Sequence, residues 1–323
     1  MLYCIMGATG NVGSKVANNL LNRRESSEKL SRLAGEEFDR IVPADNIRVL
    51  SRSMDNLRHF KDRGAEAFVG DAADPAFLTK AFTGVDAVFT LIPSDLKAAD
   101  FNAYQNRIGE SIAQAIKNSG VKYVVNLSSI GADLPGGNGP IKALHDQEQR
   151  LNNIENVNVI HLRPAHYMEN LLMSIDTISS KGVVGDAVRA DLKMAMIATK
   201  DVAKAAADCL VERNFSGKTV KDLLGQRDLT MEEAAKAIGG KIGKPALRYA
   251  TLSYDEAYKE WVAAGLSPDA CRLFVEMCKG LNDGLFGSGK VGRTTPNTTE
   301  TSIEEFADFF AKAYRSTISK KAA

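Results

Sequence analysis

Gly7-Ala8-Thr9-Gly10-Asn11-Val12-Gly13 stands directly after Leu2-Tyr3-Cys4-Ile5-Met6, and an amphipathic pattern begins at Val12. The five residues ahead of the turn are the short apolar run that a fully buried parallel strand needs. Strand, glycine turn and helix therefore come in that order at the very start of the chain. Such a turn lets backbone N–H groups at a helix N-terminus approach a pyrophosphate, where the positive end of the helix dipole favours the anion. Glycine is needed because a Cβ would block either the turn or the phosphate. The spacing is G-x-x-G-x-x-G rather than G-x-G-x-x-G, so the motif by itself reads equally well as an ordinary tight turn. Position decides, because a dinucleotide fold takes this turn from its first strand.

Working outward, apolar strand patterns alternate with helical ones. Ile47–Leu50, Ala67–Val69, Ala87–Ile92, Tyr123–Leu127 and Val157–Leu162 read as further strands. Between them Phe101, Tyr104, Ile108, Ile112 and Ile116 recur at spacings of three and four, the face of one long helix that ends at Gly120 in a left-handed cap. Repeated β-α-β units with right-handed crossovers predict an α/β chain with a Rossmann-type doubly wound parallel sheet. The predicted division is a dinucleotide-binding domain over 1–165, to which 195–225 returns, and a smaller, mainly helical C-terminal lobe over 166–323. Thr219–Leu224 is the one strand-like run expected beyond Asp201, and Thr230-Met231-Glu232-Glu233 has the form of a capping box. Leu21 to Asp45 is longer than a tight connection needs and reads as a surface extension of the first helix and its loop.

Composition limits the function classes. The 323 residues are 44% hydrophobic and 25% charged, with a formal net charge of +1, which suits an enzyme-sized chain with a substantial core. That balance gives no compositional case for nucleic acid or an anionic membrane as partner. No apolar run reaches the length of a membrane helix, and no basic-then-apolar leader opens the chain, so the cytoplasm is the expected location. Cys4, Cys209, Cys271 and Cys278 lack paired spacing and form no ligand set with His59, His145, His161 and His166, so neither a structural metal nor a disulfide framework is expected.

The end of the second strand carries the cofactor choice. Enzymes that use NAD commonly place a carboxylate there for the ribose 2′-hydroxyl, whereas this chain has Ser51-Arg52-Ser53, with Arg58 further on. A carboxylate would repel a 2′-phosphate, and guanidinium and hydroxyl groups would bind it, so NADP is expected over NAD. The plainer reading of Arg52 is a solvated charge at a strand end. After the third strand comes Gly70-Asp71, where Asp71 can accept from the adenine amino group, while Asp74 before Pro75 reads as a helix cap. Leu91, Ile92 and Pro93 end the fourth strand at the same edge, where backbone can line the nicotinamide side of the crevice, or simply make a turn. Pro164, His166, Tyr167 and Met168 follow the sixth strand and point to the same region.

Taken together, Gly7 to Gly13, Arg52, Gly70-Asp71, Leu127-Ser128-Ser129, Leu162-Arg163-Pro164, Tyr167-Met168-Glu169-Asn170 and Ile197 to Ala203 give the chain its family likeness. In order and spacing they resemble the NmrA-like family of atypical short-chain dehydrogenases/reductases. Within it the chain is similar to isoflavone-reductase-like enzymes, NADPH quinone reductases and triphenylmethane reductase. The likeness runs over nearly the whole chain, including Thr301 to Tyr314 as the family's closing helix. It implies an NADP-binding domain, a smaller lobe and a substrate cleft between them.

Catalysis is not settled by the likeness. Typical short-chain dehydrogenases pair a Tyr-x-x-x-Lys with a Ser, the lysine lowering the phenol's pKa. Ser128 or Ser129 stands at a suitable strand end, and Ser128 is the candidate taken forward. No Tyr here is followed four residues later by Lys. The stretch that should carry the pair instead holds Lys142, His145 and Glu148, and His145 with Glu148 matches an H-x-x-E pattern of some NmrA-like members. His145 then reads either as a proton source near the nicotinamide or as a surface histidine paired with Glu148 or Asp146. Arg163 and Glu169 are expected to be structural. Trp261, Leu266, Leu273, Phe274, Met277 and Leu281 are expected to form the lobe's helical core, with Phe286 and 287–293 as a flap over the cleft. Two functions follow: hydride transfer from NADPH to a small conjugated acceptor such as a quinone, or NADP(H) sensing through a protein partner.

Overall fold

The computed structural model describes residues 1–34 and 46–322. Its first half is built as β1 (Leu2–Ile5), α1 (Gly13–Ala34), β2 (Asn46–Ser51), α2 (Arg58–Asp62), β3 (Glu66–Val69), α3 (Pro75–Phe82), β4 (Ala87–Thr90), α4 (Phe101–Ser119), β5 (Tyr123–Leu127), α5 (Lys142–Asn152) and β6 (Asn158–Pro164). The second half adds β7 (His166–Tyr167), α6 (Ile175–Lys181), β8 (Val183–Asp186), β9 (Met194–Ile197), α7 (Thr199–Glu212), β10 (Lys218–Leu223) and β11 (Asp228–Leu229). It closes with α8 (Met231–Lys241), β12 (Arg248–Thr251), α9 (Tyr254–Ala263), α10 (Pro268–Asn282), α11 (Ser288–Val291) and α12 (Ile303–Ala322).

Seven strands form one parallel sheet in the order β10-β6-β5-β4-β1-β2-β3, the doubly wound arrangement expected from the alternating pattern. The order reverses between β1 and β4, and a crevice opens at the carboxyl ends of the strands on either side of that point. The pleat of β1 explains the two cores. Tyr3 and Ile5 turn to one face, against Val16 and Leu20 of α1 and Ala203 and Leu210 of α7. Cys4 and Met6 turn to the other, against Leu78 of α3 and Ile108 and Ile112 of α4. Burial on both faces of the sheet makes β1 an unbroken apolar run, whereas Arg48 in β2, Asn126 in β5 and His161 in β6 interrupt theirs.

Several boundaries differ from expectation. β4 stops at Thr90 rather than Ile92, β6 runs from Asn158 to Pro164, and β10 spans Lys218–Leu223, one residue earlier than the expected run. Residues 35–45 of the expected Leu21–Asp45 extension lie outside the described residues, while α1 continues to Ala34. The lobe is mainly helical, yet it also carries two small sheets, β11-β9-β7 and β12-β8, that the periodicity does not reveal. Strands of two residues such as β7 and β11 are too short to show alternation.

Local signals are met closely elsewhere. Asp74 caps α3 through the Ala76 amide, Gly120 ends α4 at φ 78°, and Thr230 with Glu233 closes a reciprocal capping box on α8. Two bonded contacts fasten the lobe to the sheet. Glu169 accepts from the Thr199 amide at 3.0 Å and from its hydroxyl, and Asp201 accepts from the Thr301 hydroxyl at 2.6 Å. All four cysteines are free and buried.

Candidate functional site

The glycine turn lies at the carboxyl end of β1. Gly7 holds φ +62°, and a Cβ at Gly13 would lie 2.2 Å from the Gly7 carbonyl, so the helix start packs onto the turn at a distance only glycine permits. The Gly10 amide donates to the Gly7 carbonyl at 2.9 Å and the Ser14 amide to the Gly10 carbonyl at 3.1 Å. Among the described residues, the amides of Asn11, Val12 and Gly13 have no acceptor. Thr9, Gly10 and Asn11 are exposed on the crevice edge. These are the features a pyrophosphate cradle needs: unsatisfied N–H groups at a helix start, without side chains in the way.

Across the switch point, Leu91 packs against this turn: a Cβ at Gly7 would meet its Cδ2 at 2.9 Å. At the other side, Arg52 is exposed and makes no hydrogen bond or ion pair with the described residues, whereas Arg58 is taken by Asp55 at 3.0 Å. Arg52 is therefore the unengaged guanidinium at the end of β2. Ser51 Oγ accepts from the Ser53 amide at 3.3 Å. Asp71 spends Oδ1 on the Ala73 amide at 2.9 Å, which shapes the loop after β3. Tyr104, on the apolar stripe of α4, packs partly buried against the core on that side of the sheet and stands in the field of the same groups. Burial raises its phenol pKa most, Asp95 adds to that, and Arg52 opposes it.

Below this edge lies a cavity of about 310 Å³, within the size range of small-molecule sites. Its sheet side is made by Leu91, Ile92, Leu127 and Pro164, and its roof by Phe274, Met277 and Leu281 of α10 together with Phe286. Phe274 and Met277, expected in the lobe's own core, thus face the cleft, while Leu281 lines it and also packs against that core as expected. The roof is held down by the Phe101 amide donating to Asp269 at 2.9 Å and the Ser267 amide donating to the Leu96 carbonyl at 2.8 Å. A Cβ at Gly139 would lie 2.0 Å from the Leu273 carbonyl, so α10 also touches the backbone ahead of α5. Phe286, 8% exposed, covers the cleft together with Gly287 and Ser288, the start of the expected flap.

The two residues proposed for chemistry do not meet there. Ser128 lines the cavity, but its hydroxyl donates at 2.5 Å to Glu148 Oε1. Glu148 is 2% exposed and also takes Arg163 Nε at 2.9 Å and Nη2 at 2.5 Å, an ion pair that keeps the guanidinium pKa above its usual value. His145 is absent from the lining. Its Nδ1 donates to the Ala132 carbonyl at 2.8 Å, and neither Glu148 nor Asp146 pairs with it, since Lys142 holds Asp146 at 2.8 Å. The ring anchors the loop between β5 and α5. What the sequence reading undervalued is His166. It lines the cavity, its Nε2 is buried without a partner, and burial pushes its pKa down to about 4. Tyr167 lies beside it, its phenol pushed up first by burial and then by Glu169.

Among the described residues no group of three or more histidine, cysteine, aspartate or glutamate side chains is arranged for a metal ion, and no helix is long and apolar enough to cross a membrane.

A parallel sheet with its strand order reversed at a glycine turn defines the Rossmann-type doubly wound class. Within it the chain belongs to the NmrA-like family, whose family model matches residues 2–287. It is 26% identical to a (4-alkanoyl-5-oxo-2,5-dihydrofuran-3-yl)methyl phosphate reductase of Streptomyces griseus, covering 96% of this chain and 97% of the relative. It is 25% identical to an NAD(P)H azoreductase of Xenophilus azovorans, covering 97% and 98%. Among solved structures, an NADPH-dependent quinone oxidoreductase of Escherichia coli complexed with NADPH superposes with a TM-score of 0.76 at 24% identity, over 96% of this chain and 99% of that one. The fold is thereby shared along the whole chain.

Proposed function

We propose that this protein is an NADPH-dependent oxidoreductase that reduces a small conjugated acceptor such as a quinone. The observation that carries the reading is one of placement. The unengaged Arg52 after β2, the glycine cradle after β1 and an apolar cavity bounded by Leu91, Ile92 and Pro164 after β4 and β6 follow one another along the carboxyl edge of the sheet, in the order 2′-phosphate, pyrophosphate, nicotinamide. Gly7, Thr9, Gly10, Asn11, Val12 and Gly13 would hold the pyrophosphate, Ser51 and Arg52 the 2′-phosphate, and Asp71 the adenine through its free Oδ2. Leu91, Ile92, Pro93 and Pro164 would border the nicotinamide. NADPH, when bound, supplies hydride.

The chain's own part is to keep water out and seat the acceptor. A conjugated acceptor takes hydride without a dedicated protein acid, which suits a site whose Ser128 hydroxyl is already committed to Glu148 and whose sequence lacks Tyr-x-x-x-Lys. The reductase names of the relatives above support this class of activity, and the sensing alternative gains no support from them. The Streptomyces griseus relative is named for a phosphate ester; among the described residues no Lys or Arg lines the cavity, so that substrate is not carried over. The test is NADPH oxidation against a panel of quinones, enones and aldehydes, with dinucleotide binding measured separately. Turnover of at least one conjugated acceptor is expected. Tight dinucleotide binding with every acceptor inert would refute the reductase reading.

A further inference from the structure

Two residues of the cavity wall carry a buried polar atom with nothing to bond to. Of the residues lining it, Gln105 through Oε1 and His166 through Nε2 are the ones with a buried side-chain atom that has no hydrogen-bond partner among the described residues. Gln105 is 4% exposed and sits on the first turns of α4, and His166 comes from β7, straight after β6. The three serines Ser128, Ser129 and Ser288 are already engaged, with Glu148, with the Ile130 carbonyl at 3.0 Å and with the Ala195 amide at 3.0 Å, while Ser94, Tyr167 and Asn170 on the wall have no buried atom left unpaired. Leaving a buried polar atom unpaired is unfavourable, and a ligand that supplies the missing bond relieves that penalty.

We propose that Gln105 and His166 are the two polar anchors of this cavity and that they fit it to an uncharged carbonyl compound, whose oxygen accepts a hydrogen bond from the His166 imidazole. The proposal rests on the reductase reading for the acceptor's place beside the cofactor. A neutral imidazole carries one N–H and one lone pair, so a carbonyl at Nε2 selects the tautomer with the proton there. Burial holds His166 in that neutral form throughout the physiological range. The ring therefore donates without bringing a cation into the site. Gln105 gives a second point through Nε2, which donates to a second carbonyl oxygen once the amide is turned to face it, since Oε1 only accepts. The rest of the lining is uncharged: among the described residues no Lys, Arg, Asp or Glu is part of it. A ligand anion placed here would lose its hydration and meet no counter-charge. Selection thus falls on neutral acceptors, and a negatively charged analogue of equal shape is rejected.

Binding with NADP+ in saturating amount separates recognition from turnover, since no hydride is present. Titration calorimetry is done with 1,4-naphthoquinone, its 2-sulfonate, and naphthalene as a hydrocarbon of similar shape. In the wild type the sulfonate should bind at least about 100-fold more weakly than the parent quinone. His166→Phe should weaken the quinone about tenfold and leave naphthalene unchanged, while His166→Gln, which restores an N–H, should stay within about threefold. Gln105→Leu should likewise weaken the quinone and not naphthalene. A sulfonate that binds as well as the quinone overturns the proposal in the wild type alone, whatever the variants do. So does a His166→Phe protein that loses quinone and naphthalene equally, or neither. If the wild type binds in the expected pattern yet oxidises no NADPH with any acceptor, the reductase reading fails and the two anchors stand.

Discussion

Glu148→Gln is the substitution that best tests how the site's floor is held. The carboxylate is 2% exposed and receives three hydrogen bonds, one from Ser128 and two from Arg163, whose own side chain is 16% exposed. Neutralising it keeps the shape and the acceptor for Ser128 but leaves a guanidinium in a desolvated place. Breaking a buried pair on one side costs about 3–5 kcal/mol. Asp133 stands 3.9 Å from Arg163 Nη1, but its side chain is 61% exposed, so it recovers little of the lost charge partner. About 3 kcal/mol is therefore expected for the single change. Adding Arg163→Met removes the orphaned charge and its desolvation, and the double variant should return to within about 1 kcal/mol of the wild type. Urea denaturation at pH 7 measures all three proteins. A single variant that loses less than about 1 kcal/mol, or a double variant no more stable than the single, would refute the assignment of this pair as the clamp between β6 and α5.

Two other outcomes follow from the geometry. Arg52→Asp should weaken NADPH by about tenfold to 100-fold and leave NADH nearly unchanged, because the guanidinium has no protein partner to lose; equal effects on both dinucleotides would remove Arg52 from the 2′-phosphate site. His161 lies in a buried chain in which Asn126 Nδ2 donates to Nδ1 at 3.1 Å and Nε2 donates to Asn152 at 2.9 Å, and burial lowers its pKa from 6.5 to about 4. Between those values the unfolded chain binds the proton and the folded one does not, so stability falls as pH falls, by about 2 kcal/mol between pH 7 and pH 5. Urea melts of the wild type and His161→Asn across that range should show the variant losing correspondingly less, and parallel pH profiles would discount the histidine.

The strand order and the glycine turn were legible because each rests on a contiguous signal. β1, β2, β4, β5 and β6 each place apolar side chains in both cores, so short apolar stretches mark them even where Arg48, Asn126 or His161 interrupts, and Gly7 is demanded by its φ of +62° and Gly13 by closeness to the Gly7 carbonyl. The acceptor cavity has no such signal. Gln105, His166, Phe274 and Phe286 meet in it from four separate elements, and a helical stripe looks the same whether it faces a core or a cleft, which is why Phe274, Met277 and Leu281 read as core. The histidines show the same limit. His145 stands three residues from Glu148 on α5, but the carboxylate turns inward to Arg163 while the ring turns to the Ala132 carbonyl, so the local pattern brought no shared chemistry.

That contrast bears on how the two halves of the site can change. The pyrophosphate cradle depends on main-chain amides at Asn11, Val12 and Gly13, and substitutions there are limited by sterics: a Cβ at Gly13 collides with the Gly7 carbonyl whatever side chain it carries. The acceptor cavity depends on side chains, and its seven-strand floor bonds through backbone that those side chains do not share. Replacing Gln105, His166 or Phe286 therefore alters the polarity and size of the cavity without disturbing the sheet register, provided the clamp of Glu148 on Arg163 is kept. Substrate choice can move while dinucleotide binding stays, and the residues to vary are those that point into the cavity without an internal partner.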